Sequence, residues 1–350
     1  MSSSFSRRGA IAGGLAIGAS AFTVGRGRAQ GDATPAATPG ATPDATPTAA
    51  SGTQPDGSWL FVDDRGTEIR LDAAPQRVVA ELSVAAALLD LGVETVGVFG
   101  VRTNQDGSPA VTAGQVDLDA VTFLGEGFDD FDIELLVSLE PDLIVTTLYG
   151  QLVWRLNEDA VPTIEELAPV AGINVQGVSA IDLIERFADL AAALGADLES
   201  DQVTAARTAF EASSDAVREA VASNPDLSIL FVTGATDTYY VGNAMAAGDL
   251  MYFVELGVVI PQTVDTSAYW ESRSWEETNA YLTDVIQIDR RPDWLTYEQM
   301  LEQQTFALLP AVQADQVGTW DVEYVNSYQG FTPVLDRLAE TIRTSDGSVA

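Results

Sequence analysis

The stretch that most constrains the fold is residues 197–224, inside ADLESDQVTAARTAFEASSDAVREAVASNPD. It predicts one long helix. Asp197 or Ser200 supplies an N-cap, acids fill the first turn, and Asn224-Pro225 stops it. At about 28 residues such a helix is roughly 42 Å long. Its Ala, Glu, Arg and Gln content favours helix. Val203, Ala206, Phe210, Val217 and Val221 make only a thin apolar stripe, so one side packs and the rest meets water. Short apolar strands alternate with helices before this stretch and again after it. A long, mostly polar helix between two α/β halves is a strut rather than a crossover buried in one sheet. It holds no Pro and no Gly pair to bend it, so lobe closure is expected to be small.

The first 29 residues predict an export signal. Arg7-Arg8 is followed by a mildly apolar run from Ala10 to Val24 and a small-residue site near Ala29, the pattern of a twin-arginine signal. Residues 30–56 repeat Ala-Thr-Pro and predict an extended spacer. The folded part is expected from residue 57, as a first lobe over 57–196, the strut over 197–224, and a second lobe over 225–350.

In the first lobe, a hairpin is predicted around Asp64-Arg65-Gly66. Strands follow at 77–80, 95–99, 121–124 and 143–147. Helices are expected at 83–91, 131–139, 149–157 and 181–194. In the second lobe, strands are expected at 227–233 and 285–288, with helices at 248–256, 275–282, 297–304 and 330–343. Strand–helix alternation at this spacing means parallel βαβ units, so the fold class is α/β with two Rossmann-like lobes.

Composition limits the chemistry. The chain carries 52 acids against 17 bases, a formal charge of −35, and every base is Arg. Such a surface argues against nucleic acid or anionic lipid as partner. There is no Cys, which removes thiol chemistry and lipid attachment at an N-terminal Cys. There is no His, the commonest metal ligand and acid/base group. Leu124-Gly125-Glu126-Gly127 lacks the third glycine of a dinucleotide fingerprint, because Asp130 stands there. Asp117 and Asp119 lack the glycine of a calcium loop. No Gly-x-Ser-x-Gly is present. Enzymatic activity is unsupported by any motif, and no cofactor is implied.

Six phrases occur in order: GTEIRLDAAPQRVVA, ALLDLGVETVGV, FDIELLVSLEPDLIVTT, FVELG, ETNAYLTDVIQID and LLPAVQADQVGTW. Together they resemble the class III substrate-binding proteins of ABC importers for ferric siderophores and cobalamin, across about residues 59–345. The resemblance implies two α/β lobes joined by one rigid helix, a ligand cleft between them, and a monomer exported to the periplasm or cell surface. It implies capture of a ferric siderophore or similar chelate for an ABC permease. Cobalamin or haem binding, or a sensor built on the same fold, are the alternatives. Bare zinc or manganese is disfavoured without His, and haem would have only Tyr as an axial ligand.

In that family the cleft is lined by loops at the carboxyl ends of the strands. The residues implied there are Arg102, Tyr149, Trp154, Tyr239, Tyr240, Trp270, Arg273 and Trp275, with Tyr324 or Tyr328. Arg pairs with chelate oxygens, and Trp and Tyr supply flat walls. Arg273, in the aromatic loop AYWESRSW, is the sharpest candidate, with Arg102 as its counterpart on the other lobe. The family also docks to its permease through a surface carboxylate on each lobe. Glu134, in FDIELL, matches the first; Asp249, or Glu255, stands for the second.

Overall fold

The computed structural model describes residues 51–104, 107–264, 268–292 and 294–350. The expected export signal and most of the expected spacer lie outside the described residues. The spacer's end does not: β1 (Gly52–Thr53) pairs antiparallel with β2 (Trp59–Val62), which pairs with β3 (Glu68–Leu71). The fold therefore begins before residue 57. A tight turn, in which Gln54 N donates to Ser58 O at 2.7 Å, brings the low-complexity end back onto the sheet.

The first lobe continues through β4 (Val78–Glu81), α1 (Leu82–Asp90), β5 (Gly97–Phe99) and β6 (Thr122–Phe123). Next come α2 (Ile133–Leu139), β7 (Leu143–Tyr149), β8 (Leu152–Val153), α3 (Val161–Leu167) and β9 (Val170–Asn174). The strands form one sheet in the order β6-β5-β4-β7, with both β8 and β9 pairing β7. Every pairing but β7–β8 is parallel. Alternation divides the strands cleanly between two faces. Val78, Ala80, Leu143 and Val145 face a core shared with α1, and Val79 and Ile144 face a second core against Leu136 and Ile164.

Helix α4 (Ala180–Ala193) leads to α5 (Asp201–Ser223). The strut thus starts four residues later than the sequence predicts. Asp197 instead makes a turn, accepting Ser200 N at 3.1 Å on its carbonyl, and Ser200 caps the helix. Val203 packs in the first lobe's core, whereas Phe210, Val217 and Ala220 pack in the second's. The thin stripe therefore changes partner along the helix, which is how one helix comes to hold both lobes.

The second lobe holds β10 (Ile229–Ala235), β11 (Thr238–Gly242), α6 (Gly248–Glu255), β12 (Trp270–Arg273) and β13 (Val285–Asp289). Short helices α7 (Tyr297–Met300), α8 (Gln304–Ala307) and α9 (Pro310–Gln313) precede β14 (Val317–Trp320) and α10 (Tyr328–Thr344). The sheet order is β12-β11-β10-β13-β14. The pairings β10–β13 and β13–β14 are parallel, the other two antiparallel.

Helix α10 braces α5. Phe210 stacks on Tyr252 and packs against Tyr328 and Phe331, and Ser213 Oγ donates to Asp336 at 2.6 Å. With α5 pinned at both ends and along its side, scattering curves with and without saturating ligand are expected nearly to superimpose. A drop of several ångströms in radius of gyration would contradict this.

The start of α10 also touches the first lobe. Ser327 Oγ caps the helix by accepting Gly330 N at 2.9 Å, and it donates to buried Asp90 at 2.6 Å. One hydroxyl thus serves a cap and an interlobe bond. Ser327→Ala is expected to destabilise the protein by about 1–3 kcal/mol, measured by denaturant unfolding. An unchanged midpoint would mean that neither bond matters.

Among the described residues no helix is long and apolar enough to cross a membrane.

Candidate functional site

In parallel α/β sheets ligand crevices lie beyond the carboxyl ends of the strands, where the strand order reverses. In the first lobe the chain leaves β4 for β5 on one side and later places β7 on the other, so the reversal lies at β4/β7. Those strands end at Glu81 and Tyr149. In the second lobe β13 and β14 end at Asp289 and Trp320. Between the lobes lies a cavity of about 240 Å³, with Asn104, Pro109 and Val111 on one side and Arg290, Arg291 and Glu323 on the other.

Tyr149 stands where the two sets of ends meet. It is within electrostatic reach of Glu81 and Arg155 of its own lobe and of Glu323 and Arg291 of the other. It is accessible yet recessed. Desolvation there, followed by the neighbouring carboxylates Glu81 and Glu323, pushes its phenol above the usual range.

Behind Tyr149, the chain turns at Gly150, whose φ is +63°, and returns as β8. This hairpin replaces the helix predicted over 149–157. The turn glycine and the Leu148–Val153 pairing carry the chain back along β7 instead. The hairpin packs Trp154 at a tilt against Tyr149, with ring centroids 4.8 Å apart, and edge-on against Phe128 at 5.5 Å. It also sets Arg155 in a left-handed conformation, φ +64°, that non-glycine residues seldom adopt. Its carbonyl accepts Phe128 N at 2.7 Å, and Phe128 is itself left-handed. Such strain persists only where the surroundings over-determine it.

The Arg155 guanidinium lies over Trp154 at 4.9 Å and over Phe128 at 5.7 Å. Its Nε is buried and has no hydrogen-bond partner among the described residues. Among the described residues, no carboxylate lies within ion-pair distance of it. Glu81 lies deeper, fully buried, with its carboxylate accepting Ser83 N at 3.0 Å. Burial pushes its pKa up, while Ser83 and then Arg155 restrain the rise.

The opposite wall is aromatic. Trp270 meets Trp320 at 5.4 Å, Tyr269 at 5.1 Å and Tyr240 at 6.4 Å, and Tyr240 meets Trp294 at 5.5 Å. Tyr324 packs edge-on against Phe331 and lies within electrostatic reach of both Asp249 and Tyr149. Of the residues expected in the cleft, the structure brings Tyr149, Trp154 and Tyr324 to this region. Tyr240 and Trp270 lie in the aromatic wall beside them.

The other expected residues are placed elsewhere. Tyr239 is fully buried, and Trp275, 6% exposed, packs on it with its indole N–H bound to Ala235 O. Both belong to the second lobe's outer core. Tyr328 is buried against Phe210. Arg102 donates to Leu118 O at 2.6 Å and covers Phe123.

Arg273 is not in a loop. The AYWESRSW segment contributes edge strand β12, in which Arg273 pairs with Tyr239, and Trp270 with Gly242. Strand alternation therefore turns Arg273 to the side of buried Tyr239, away from the face of Tyr240 and Trp270. There it is held by an ion pair with Glu271 and a hydrogen bond to the Tyr281 hydroxyl. Neither Arg102 nor Arg273 clamps this cleft. The arginines within electrostatic reach of Tyr149 are Arg155 and Arg291.

Asp249 is also displaced from its expected role. It is 1% exposed and accepts the Trp320 indole N–H at 2.6 Å, so it offers no surface carboxylate to a partner. Glu134, in the first turn of α2, and Glu255, at the end of α6, are exposed.

The family model for periplasmic binding proteins matches residues 78–324. DesE, a ferric-siderophore receptor protein from Streptomyces coelicolor, is 37% identical with a TM-score of 0.74, covering 82% of this chain and 99% of DesE. Two more distant structures share the fold. The siderophore periplasmic binding protein from the fuscachelin gene cluster of Thermobifida fusca is 23% identical, TM-score 0.58, covering 77% of this chain and 97% of its own. SirA from Staphylococcus aureus, complexed with staphyloferrin B, is 19% identical, TM-score 0.60, covering 83% and 99%. Comparison with curated protein sequences gives no match. The two-lobed α/β architecture, the crevice at the strand ends, the family match over residues 78–324 and the likeness to DesE over nearly all of its length agree, and this chain belongs to the periplasmic binding protein family.

Proposed function

We propose that this protein captures a ferric siderophore outside the cytoplasm, as a monomer without catalytic activity, and delivers it to the permease of an ABC importer. The observation that carries the reading is Arg155. It is a guanidinium held in strained backbone over two aromatic rings, beside Tyr149, with a buried Nε that no group among the described residues satisfies. A buried unpaired donor is costly and calls for an acceptor from a ligand. Ligand oxygens around a ferric ion are such acceptors, and the chelate brings its own metal ligands. The 37% identity to a ferric-siderophore receptor supports the same class.

Tyr149, Trp154, Tyr324 and the two arginines would hold the chelate, with Tyr240 and Trp270 as the outer wall. Glu134 and Glu255 are the carboxylates we assign to permease docking. Charge-removing variants there should keep ligand affinity and lose uptake in cells; normal uptake would remove the assignment.

The test of capture is tryptophan fluorescence. Trp154 and Trp270 flank the cleft, so a ferric siderophore bound there is expected to quench emission saturably. No saturable quenching across hydroxamate, catecholate and carboxylate siderophores would overturn the proposal.

A further inference from the structure

The charges of the cleft bear on which ferric chelate it accepts, and this inference rests on the reading above. The second lobe offers two arginines to the cavity, and both are already engaged. Arg291 grips Asp289 with two nitrogens, Nη2 at 2.6 Å and Nε at 2.9 Å, and the Asp289 carboxylate also accepts the Arg291 backbone N–H. The Asp289 side chain is fully buried, so it has no water to turn to if Arg291 leaves. Glu323 stands 3.7 Å from the same guanidinium. Arg290 pairs with Asp321, a nearly buried carboxylate that also holds Arg337.

The second-lobe wall of the cavity and its supports therefore set two guanidinium groups, of Arg290 and Arg291, against three carboxylates, of Asp289, Asp321 and Glu323, and Arg155, beside Tyr149 on the first lobe, adds a third guanidinium. Arg337 offsets part of Asp321 from behind, and buried Glu81 adds a further acid on the first-lobe side. Among the described residues there is no local surplus of positive charge to set against the chain's formal −35.

We infer that the cleft selects ferric chelates of zero or positive net charge, the hydroxamate type, and rejects polyanionic tricatecholate chelates. Three hydroxamates carry three negative charges and neutralise ferric iron, leaving the complex neutral, or cationic where the siderophore keeps an ammonium. Three catecholates carry six and leave the complex trianionic. A trianion entering this cleft must draw Arg291 from a carboxylate that cannot be solvated, or sit beside Glu323 unscreened. A neutral or cationic hydroxamate needs only the one unpaired donor set, on Arg155. Its oxygens accept from that guanidinium, and its carbon skeleton covers Trp154 and Tyr149.

The experiment is a tryptophan-quenching titration of the full chain with three ferric chelates: ferrioxamine B, which is cationic, a neutral cyclic trihydroxamate, and a trianionic tricatecholate. Both hydroxamates are expected to bind at least 100-fold more tightly than the tricatecholate. Added salt should narrow the gap, because screening relieves the repulsion of the trianion. Glu323→Gln should narrow it at least fivefold at low salt. Equal or tighter binding of the tricatecholate would overturn the selectivity while leaving siderophore capture standing. No binding of any of the three would overturn the capture reading and the selectivity with it. An unaltered ratio in Glu323→Gln would show that the cleft carboxylates do not set the preference.

Discussion

Arg155→Ala is expected to weaken binding of ferrioxamine B by about 10- to 100-fold, the scale of a lost charge-assisted hydrogen bond of about 1.5–3 kcal/mol. The free protein should lose little. The backbone at 155 is left-handed for Arg and Ala alike, and what disappears is a cation–aromatic contact worth about 0.5–1 kcal/mol. Affinity and stability should therefore separate. Arg273→Ala serves as the comparison, because that guanidinium is held by Glu271 and Tyr281 on the far side of the sheet. It should bind ferrioxamine B as the parent chain does. Unchanged affinity in Arg155→Ala, or a large loss in Arg273→Ala, would place the ligand elsewhere.

The second large effect concerns stability against pH, at Asp249. Burial pushes this carboxyl up to about 7, partly restrained by the Trp320 indole and the Leu250 amide, and raised a little by Asp289. One oxygen accepts from Trp320, and the other is buried with no hydrogen-bond partner among the described residues. In the unfolded chain the group titrates near 4. The folded pKa is raised, and for an acid this means a loss of stability as pH rises. Below about pH 4 both states hold the proton and the group contributes nothing. Between about 4 and 7 the unfolded state loses its proton first and gains. Above 7 the penalty is complete, on the order of 4 kcal/mol at most.

Asp249→Asn cannot ionise, and its amide oxygen still accepts from Trp320. The stability of Asp249→Asn relative to the parent should grow by roughly 2–3 kcal/mol from pH 5 to pH 7 and then level off. Comparing the change with pH removes any constant cost of placing an amide there. Denaturant unfolding at pH 5, 6, 7 and 8 reads it. A gap that stays flat across that range would show that Asp249 is ionised at ordinary cost.

The fold was legible because its signals are local. Apolar runs at βαβ spacing and the helix around Phe210 need no tertiary information, and ordered phrases such as LEPDLIV added the family. The site was less legible, for two identifiable reasons. Residues 149–157 carry a helix-compatible pattern, Tyr149, Leu152, Val153 and Leu156, and a helix there would separate Arg155 from Trp154's surroundings. The left-handed Gly150 and Arg155 make a hairpin instead, and backbone sign is invisible in a one-letter string. AYWESRSW reads as a loop because its alternation is masked by Ser and Glu on both sides. Pairing with β11 makes it a strand and turns Arg273 away.

Arg291 was within reach of the rule that crevices lie beyond strand ends. It follows β13 directly, in DRRPDW, and the same rule that pointed to Tyr149 applies to it. Asp249 shows the limit of a composition argument. In a chain with 52 acids, one more acid in an apolar helix looks like another surface charge, and only packing against Trp320 reveals it as buried.

Iron is expected to enter this cleft as an intact chelate held by Arg155 and its aromatic neighbours. Native mass spectrometry of the full chain tests it most directly, with ferrioxamine B in one sample and the same concentration of uncomplexed ferric salt in another. The expected result is one chain carrying one whole ferrioxamine B, a marked loss of that species in Arg155→Ala, and no stoichiometric adduct with the salt. A stoichiometric adduct of bare iron, or no adduct with ferrioxamine B, would contradict it.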